Sequence, residues 1–125
     1  MIKNFTFTEL IRSTTAAKRG IDNTPTSFAT VENLLSLTDE VLQPLRDAMA
    51  FPIVITSGYR SPALNTAVGG AKRSLHLSGR AADINCGKTK NRQIYEWLAA
   101  QQKAGTLHIT ELINEQDYSW IHVAL

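Results

Sequence analysis

The sequence predicts an α+β domain, with helices placed mostly before and beside a small, largely antiparallel sheet. Three observations carry this. Apolar positions recur at helical spacing from Ser27 to Met49. Stretches 81–86, 109–114 and 120–125 read as strands, short and apolar with polar residues between. The connection Glu115 to Ser119 between the last two suits a hairpin.

Taken in order, Thr8-Glu9-Leu10-Ile11-Arg12 predicts a short helix opening at Thr8, whose side chain can cap it. Gly20 to Pro25 is a turn cluster. The longest helix follows, with Val31, Leu34, Leu35, Val41, Leu42, Leu45 and Ala48 on its apolar stripe, and Pro44 should kink or split it. Pro52 stops the pattern, and β-branched Ile53 to Thr56 read as a buried strand ended by Ser57-Gly58. Ser61-Pro62 open a short helix that Gly69-Gly70 close. Residues 71–80 are loop-like. In the strand Ala81 to Cys86, Ala82, Ile84 and Cys86 share one face, and Ala81, Asp83 and Asn85 the other. Asn91 to Gln102 reads as an amphipathic helix with Ile94, Trp97 and Leu98 inward. In the last strand Ile121, Val123 and Leu125 are the apolar face, opposite Trp120, His122 and Ala124.

A chain of 125 residues with 43% hydrophobic and 19% charged residues fits one domain, residues 1–125, able to close a core without disulfides. Its one cysteine, Cys86, excludes an internal disulfide and any cysteine-rich zinc finger. No apolar run approaches the roughly 20 residues that cross a bilayer, so no membrane insertion is expected. The start MIKNFTFTEL lacks a basic segment followed by a long apolar stretch, so no signal peptide is expected and synthesis is placed in a cytoplasm.

The net charge of +2 is uneven. Segment 60–92 carries Arg60, Lys72, Arg73, Arg80, Lys88, Lys90 and Arg92 against Asp83 alone. That is either a solvated basic loop or a cleft for an anionic ligand. No aromatic residues interleave with the cations, so no nucleic acid is expected as partner.

Chemistry concentrates at His76, Asp83 and His122. A His and an Asp seven apart converge if the chain turns at Gly79, and strand alternation points Asp83 and His122 away from the apolar faces. Two imidazoles and a carboxylate suit Zn²⁺ and leave a fourth position for water, whose pKa zinc lowers towards about 7. Spacing alone also allows His76 as a surface loop residue and His122 as a satisfied strand histidine.

At these residues the chain resembles the zinc D-Ala-D-Ala carboxypeptidases and related peptidoglycan peptidases, a group that shares its fold with lysostaphin-type enzymes and the hedgehog signalling domain. The family pattern S-x-H-x-x-G-x-A-x-D is met by Ser74, His76, Gly79, Ala81 and Asp83. A Trp-x-His-Val element is met by Trp120 to Val123, and S-G-Y-R-S by Ser57 to Ser61. The stretch from Phe7 through Pro25 is similar to small phage-associated and bacterial members. The resemblance covers nearly the whole chain. It implies one zinc ion per chain, held by His76, Asp83 and His122. It also implies that Arg60 holds a substrate carbonyl or carboxylate, which suits a guanidinium fork, and that Ser74 supports the substrate or the loop. His108 matches no family position and reads as structural.

Many relatives place a catalytic Glu or Asp three residues before the last ligand, where this chain has Ser119. The nearby acids are Glu111, Glu115 and Asp117. Small members with this ending often carry Glu at the place of Glu115, which puts Glu115 first as general base and Asp117 second. Glu111 reads as a strand residue sharing a face with Ile109 and Ile113. The function implied is hydrolysis of the peptide stems of bacterial peptidoglycan, by a monomeric D-Ala-D-Ala carboxypeptidase or endolysin-type endopeptidase using zinc-activated water. Without a signal peptide, the wall would be reached by phage-type lysis. The alternative is a non-catalytic zinc-containing module for cell-wall binding or phage assembly.

Overall fold

The computed structural model describes residues 4–125. Helix α1 spans Phe7–Ile11 and is capped by Thr6, ahead of the expected Thr8. Of the two threonines, only Thr6 has a glutamate three residues on. Its hydroxyl accepts from the Glu9 N–H at 3.1 Å, and the Glu9 carboxylate accepts from the Thr6 N–H at 3.1 Å. This reciprocal box satisfies two end donors. A second short helix, α2 (Thr14–Arg19), was not expected from periodicity; the Ser13 hydroxyl caps it and left-handed Gly20 ends it.

Helix α3 (Phe28–Leu37) runs through a single π turn (Thr38–Leu42) into α4 (Gln43–Met49). The disturbance expected at Pro44 takes this form: the Gln43 N–H bonds the Thr38 carbonyl, five residues back. Proline lacks an N–H, and its ring would collide with the carbonyl four residues back in a regular helix. One wide turn makes room for it. Leu34, Leu37, Val41, Leu42 and Leu45 stay fully buried across the change.

Strands β1 (Ile55–Ser57), β2 (Ala81–Ile84), β3 (Glu111–Glu115) and β4 (Trp120–Ala124) form one sheet in the order β1-β2-β4-β3. Every neighbouring pair is antiparallel. Between the strands lie α5 (Pro62–Ala67), a 3₁₀ turn (Leu75–Ser78) and α6 (Lys88–Ala104). The expected α+β architecture is therefore present. Strand β1 starts two residues later than the run Ile53–Thr56, with the Val54 N–H donating to the Cys86 sulfur at 3.4 Å rather than to a neighbouring strand, although Ile53 is still buried. Strand β2 stops at Ile84, before Cys86, and helix α6 extends beyond residues 91–102 at both ends.

The register sorts the sheet into two faces. Ala82 pairs with Val123, and Ile84 with Ile121. These four are fully buried, in one core with Leu34, Leu37, Ile94 and Leu98. On the other face Asp83 pairs with His122, His122 with Ile113, and Trp120 with Glu115. Among the described residues, no helix is long and apolar enough to cross a membrane.

Candidate metal centre

The polar sheet face meets two loops. The first is Ser57 to Ser61. A Cβ on Gly58 would lie 2.2 Å from the Leu10 carbonyl oxygen, so only glycine lets this loop pass so close to α1. The Tyr59 N–H donates to the same carbonyl at 2.8 Å. Asn23, from the turn cluster, clamps the loop: its amide donates to the Ile11 and Tyr59 carbonyls at 2.6 and 2.9 Å, and its oxygen accepts from the Ser61 N–H at 2.7 Å.

The second loop carries His76 in the 3₁₀ turn. The Ser74 hydroxyl accepts from the His76 N–H at 3.2 Å and caps that turn. Gly79 ends it with φ of 76°, and a Cβ there would come within 2.7 Å of the Thr30 carbonyl. The chain then enters β2 and delivers Asp83. The loops are joined directly: the Arg60 N–H donates to the His76 carbonyl at 3.0 Å, and His76 Nδ1 lies 2.7 Å from the Gly58 carbonyl oxygen.

A carbonyl only accepts, so His76 Nδ1 carries a proton and the neutral ring keeps its lone pair on Nε2. That Nε2 is buried, without a hydrogen-bond partner, and 3.3 Å from Asp83 Oδ1. His122 repeats the pattern. Its Nε2 lies 2.7 Å from Glu111 Oε1, while its Nδ1 lies 3.0 Å from the same Asp83 oxygen. The two imidazole rings meet edge to face, 5.2 Å between centroids. One donor atom each from His76, Asp83 and His122 lies within 4.8 Å of the others.

Neutral imidazole lone pairs aimed at a carboxylate repel it unless a cation stands between them. Burial alone would raise the Asp83 carboxyl, but His122 and His76, when protonated, outweigh it and hold Asp83 well below the usual carboxylate range. Burial alone would lower His122, but Asp83 and Glu111 outweigh it and hold it above the ordinary 6.5. Protons are one answer to this cluster of bases, and a divalent cation is the other. Tetrahedral zinc with bonds of about 2.0–2.1 Å sets its ligand atoms roughly 3.3 Å apart. The 3.3 and 3.0 Å contacts of Asp83 Oδ1 with the two imidazoles, and the orphaned Nε2 of His76, fit such an ion.

The centre opens into a cleft of about 350 Å³, whose walls include Arg60, Arg73, Ser74, Glu111, Glu115 and Trp120. Arg60 is held by three contacts: Nε donates to Ser57 Oγ at 3.1 Å, Nη1 to Asn65 Oδ1 at 3.0 Å, and Nη2 to Asp83 Oδ2 at 3.4 Å. Of the seven cations between residues 60 and 92, Arg60 and Arg73 line this cleft, while Lys88 and Arg92 line another of about 280 Å³. The basic segment is therefore split between two places rather than gathered into one.

Glu115 shares the His122 face and lines the cleft. Asp117, expected as the second base, is not brought there. Gln116, Asp117 and Tyr118 all adopt left-handed backbone, with φ of 47°, 55° and 64°. The turn carries Asp117 towards α6, where its carboxylate lies 3.8 Å from Lys88 Nζ. His108 is exposed, outside the cleft. Glu111, read from the sequence as a strand residue and given no role, lines the cleft and reaches His122. The signal was strand parity, which sets Glu111 and Glu115 on one face; whether that face is also His122's depends on the hairpin register.

A family model described as Peptidase M15 matches residues 3–124. Among curated proteins, the chain is similar to a zinc D-Ala-D-Ala carboxypeptidase of Streptomyces albus G. The two are 39% identical over 85 residues, which is 67% of this chain and 32% of that protein. The chain thus spans about a third of the length of the curated relative it matches.

Proposed function

Because the chain belongs to the peptidase M15 family, we propose that it is a zinc-dependent peptidase hydrolysing the stem peptides of bacterial peptidoglycan. It would act as a D-Ala-D-Ala carboxypeptidase or as an endolysin-type endopeptidase. The observation that carries this reading is the buried, unpartnered His76 Nε2 facing the Asp83 oxygen that also faces His122 Nδ1. The similarity to a zinc D-Ala-D-Ala carboxypeptidase of Streptomyces supports both the metal and the substrate class.

In this reading His76, Asp83 and His122 hold the ion. A bound zinc supplies a Lewis acid and acidifies water. The chain's own residues do the rest. Arg60, fixed by Ser57 and Asn65, presents its guanidinium edge to a substrate carbonyl or carboxylate. Ser74, whose oxygen already caps the 3₁₀ turn, has its own proton to offer the substrate. Glu115 takes the proton of the attacking water as the new C–O bond forms. It returns that proton to the amine nitrogen as the C–N bond breaks.

Digestion of defined muropeptides tests this, with new chain ends identified by mass spectrometry. The substrates are a D-Ala-D-Ala-ended stem, an L-Ala-D-Glu-containing stem and a crosslinked dimer. Cleavage of one of them by the zinc-loaded protein is expected, and turnover of none sinks the proposal. Glu115→Gln should lower kcat by about 10²–10⁴ and leave zinc content unchanged.

The second reading is a non-catalytic zinc-containing module. It draws on Ser119, whose hydroxyl donates to the Gln116 carbonyl at 2.7 Å and offers no base. Saturable muropeptide binding without cleavage, indifferent to Glu115→Gln, would favour it.

A further inference from the structure

We propose that Glu111 is a positioning residue: it holds the single proton of neutral His122 on Nε2 and so leaves the Nδ1 lone pair free for the metal. This rests on the reading of His76, Asp83 and His122 as a metal site.

Two carboxylates compete for that proton. Asp83 Oδ1 lies 3.0 Å from Nδ1, and Glu111 Oε1 lies 2.7 Å from Nε2. If Asp83 takes the N–H, Nδ1 is blocked as a ligand. If Glu111 takes it, the lone pair points at Asp83, as the lone pair of His76 already does. A neutral imidazole has one N–H, so the shorter contact decides the tautomer. For His76 the Gly58 carbonyl makes the same choice. Among the described residues, no other hydrogen bond reaches His122 Nε2, so the role falls to Glu111 alone.

Backbone pairing places Glu111 for the task. It sits opposite Ala124, two residues from Ile113, which faces His122 across the β3–β4 ladder. Its side chain is 44% exposed, so it can change without opening the core. Carboxylate partners of metal-bound histidines carry about 10–100-fold of metal affinity.

The test uses the full chain and reads the tautomer directly. Long-range ¹H–¹⁵N correlation spectra of metal-free protein, at about pH 9 where free imidazoles are neutral, should show His122 with its proton on Nε2. Glu111→Ala should move the proton wholly or partly to Nδ1. It should also weaken zinc about 10–100-fold in a chelator competition. Glu111→Gln keeps an acceptor oxygen and should preserve both the tautomer and most of the affinity.

A wild-type proton on Nδ1 overturns the proposal, whatever the variants do. So does an unchanged tautomer or unchanged zinc affinity in folded Glu111→Ala. Glu111→Gln that binds zinc normally but does not turn over, with an Ala variant of equal affinity, would make Glu111 a base instead. Absence of zinc binding by wild-type protein would sink the metal reading, while the tautomer would still report on Glu111.

Discussion

The two histidines of the centre are held by opposite means. His76 is fixed by backbone: Gly58 gives it a carbonyl, and the Gly58 loop is tied to Leu10, Ile11 and Asn23. His122 is fixed by a side chain, Glu111, on an edge strand and open to water. One arm of the site is therefore coupled to the fold of the N-terminal third. The other can be altered without disturbing that fold. The difference separates variants that lose metal by losing structure from variants that lose metal alone.

Removing either imidazole gives the largest effect. His76→Ala and His122→Ala should each abolish stoichiometric zinc and reduce hydrolysis to background, read by metal analysis and muropeptide digestion. Two ligands do not make a catalytic zinc site. Zinc-replete, active protein in either case would remove that residue from the ligand set.

Gly58→Ala probes the backbone-held arm. The new methyl would meet a carbonyl oxygen at 2.2 Å, with backbone rather than a flexible side chain on the other side. The loop must shift, and a loss of about 2–4 kcal/mol is expected in urea unfolding of the metal-free protein. Zinc should weaken as well, because the Gly58 carbonyl moves with the loop. Glu111→Ala should show weakened zinc with little change in unfolding free energy. A Gly58→Ala protein of normal stability and normal zinc affinity would erase the contrast between the arms.

That contrast also marks what the sequence reveals. Alternation of period two puts Asp83 and His122 off the apolar faces, and the sheet has them so. Helical periodicity finds Leu34, Val41, Leu42 and Leu45, which stay buried across a π turn it gives no sign of, but it takes Leu35, which is exposed, in place of the fully buried Leu37. What stays hidden depends on contacts from far along the chain. Asn23 looks like a turn residue until it is seen bridging Ile11, Tyr59 and Ser61. The hairpin turn contains no glycine, yet three successive residues are left-handed. Asn114 accepts from the Tyr118 N–H at 2.6 Å, and buried Asn91 donates to the Tyr118 carbonyl at 2.9 Å. Those contacts set the turn, and the turn sets the register that brings Glu111 to His122 and sends Asp117 away. Local propensity carries none of that.

Titration gives a smaller effect, with a sign that depends on the metal. In metal-free protein His122 is held above its ordinary 6.5. Its contribution to stability is therefore complete below about 6.5 and is lost as pH rises through the raised value. Asp83 is held below its ordinary 3.8, so its contribution is present above that value and lost as pH falls through the depressed one. The Tm of metal-free protein should accordingly fall from about pH 6 to about pH 9, through the His122 range. With zinc the slope should reverse, because protons compete with the metal for imidazole. Thermal melts with and without chelator check this, and parallel slopes would argue against metal at these histidines.

The smallest effect is expected on the opposite side of the sheet. Cys86 lies just beyond β2 and packs against the core rather than into the cleft. Its sulfur accepts from the Val54 N–H at 3.4 Å, and its thiol donates to the Pro52 carbonyl at 3.6 Å. A serine hydroxyl can make the same two bonds with a shorter reach. Cys86→Ser should therefore cost on the order of 1 kcal/mol and leave zinc stoichiometry and hydrolysis at wild-type levels. Loss of zinc in this variant would mean that the thiol competes for the metal, and the division of the sheet into an apolar face and a chemical face would have to be redrawn around it.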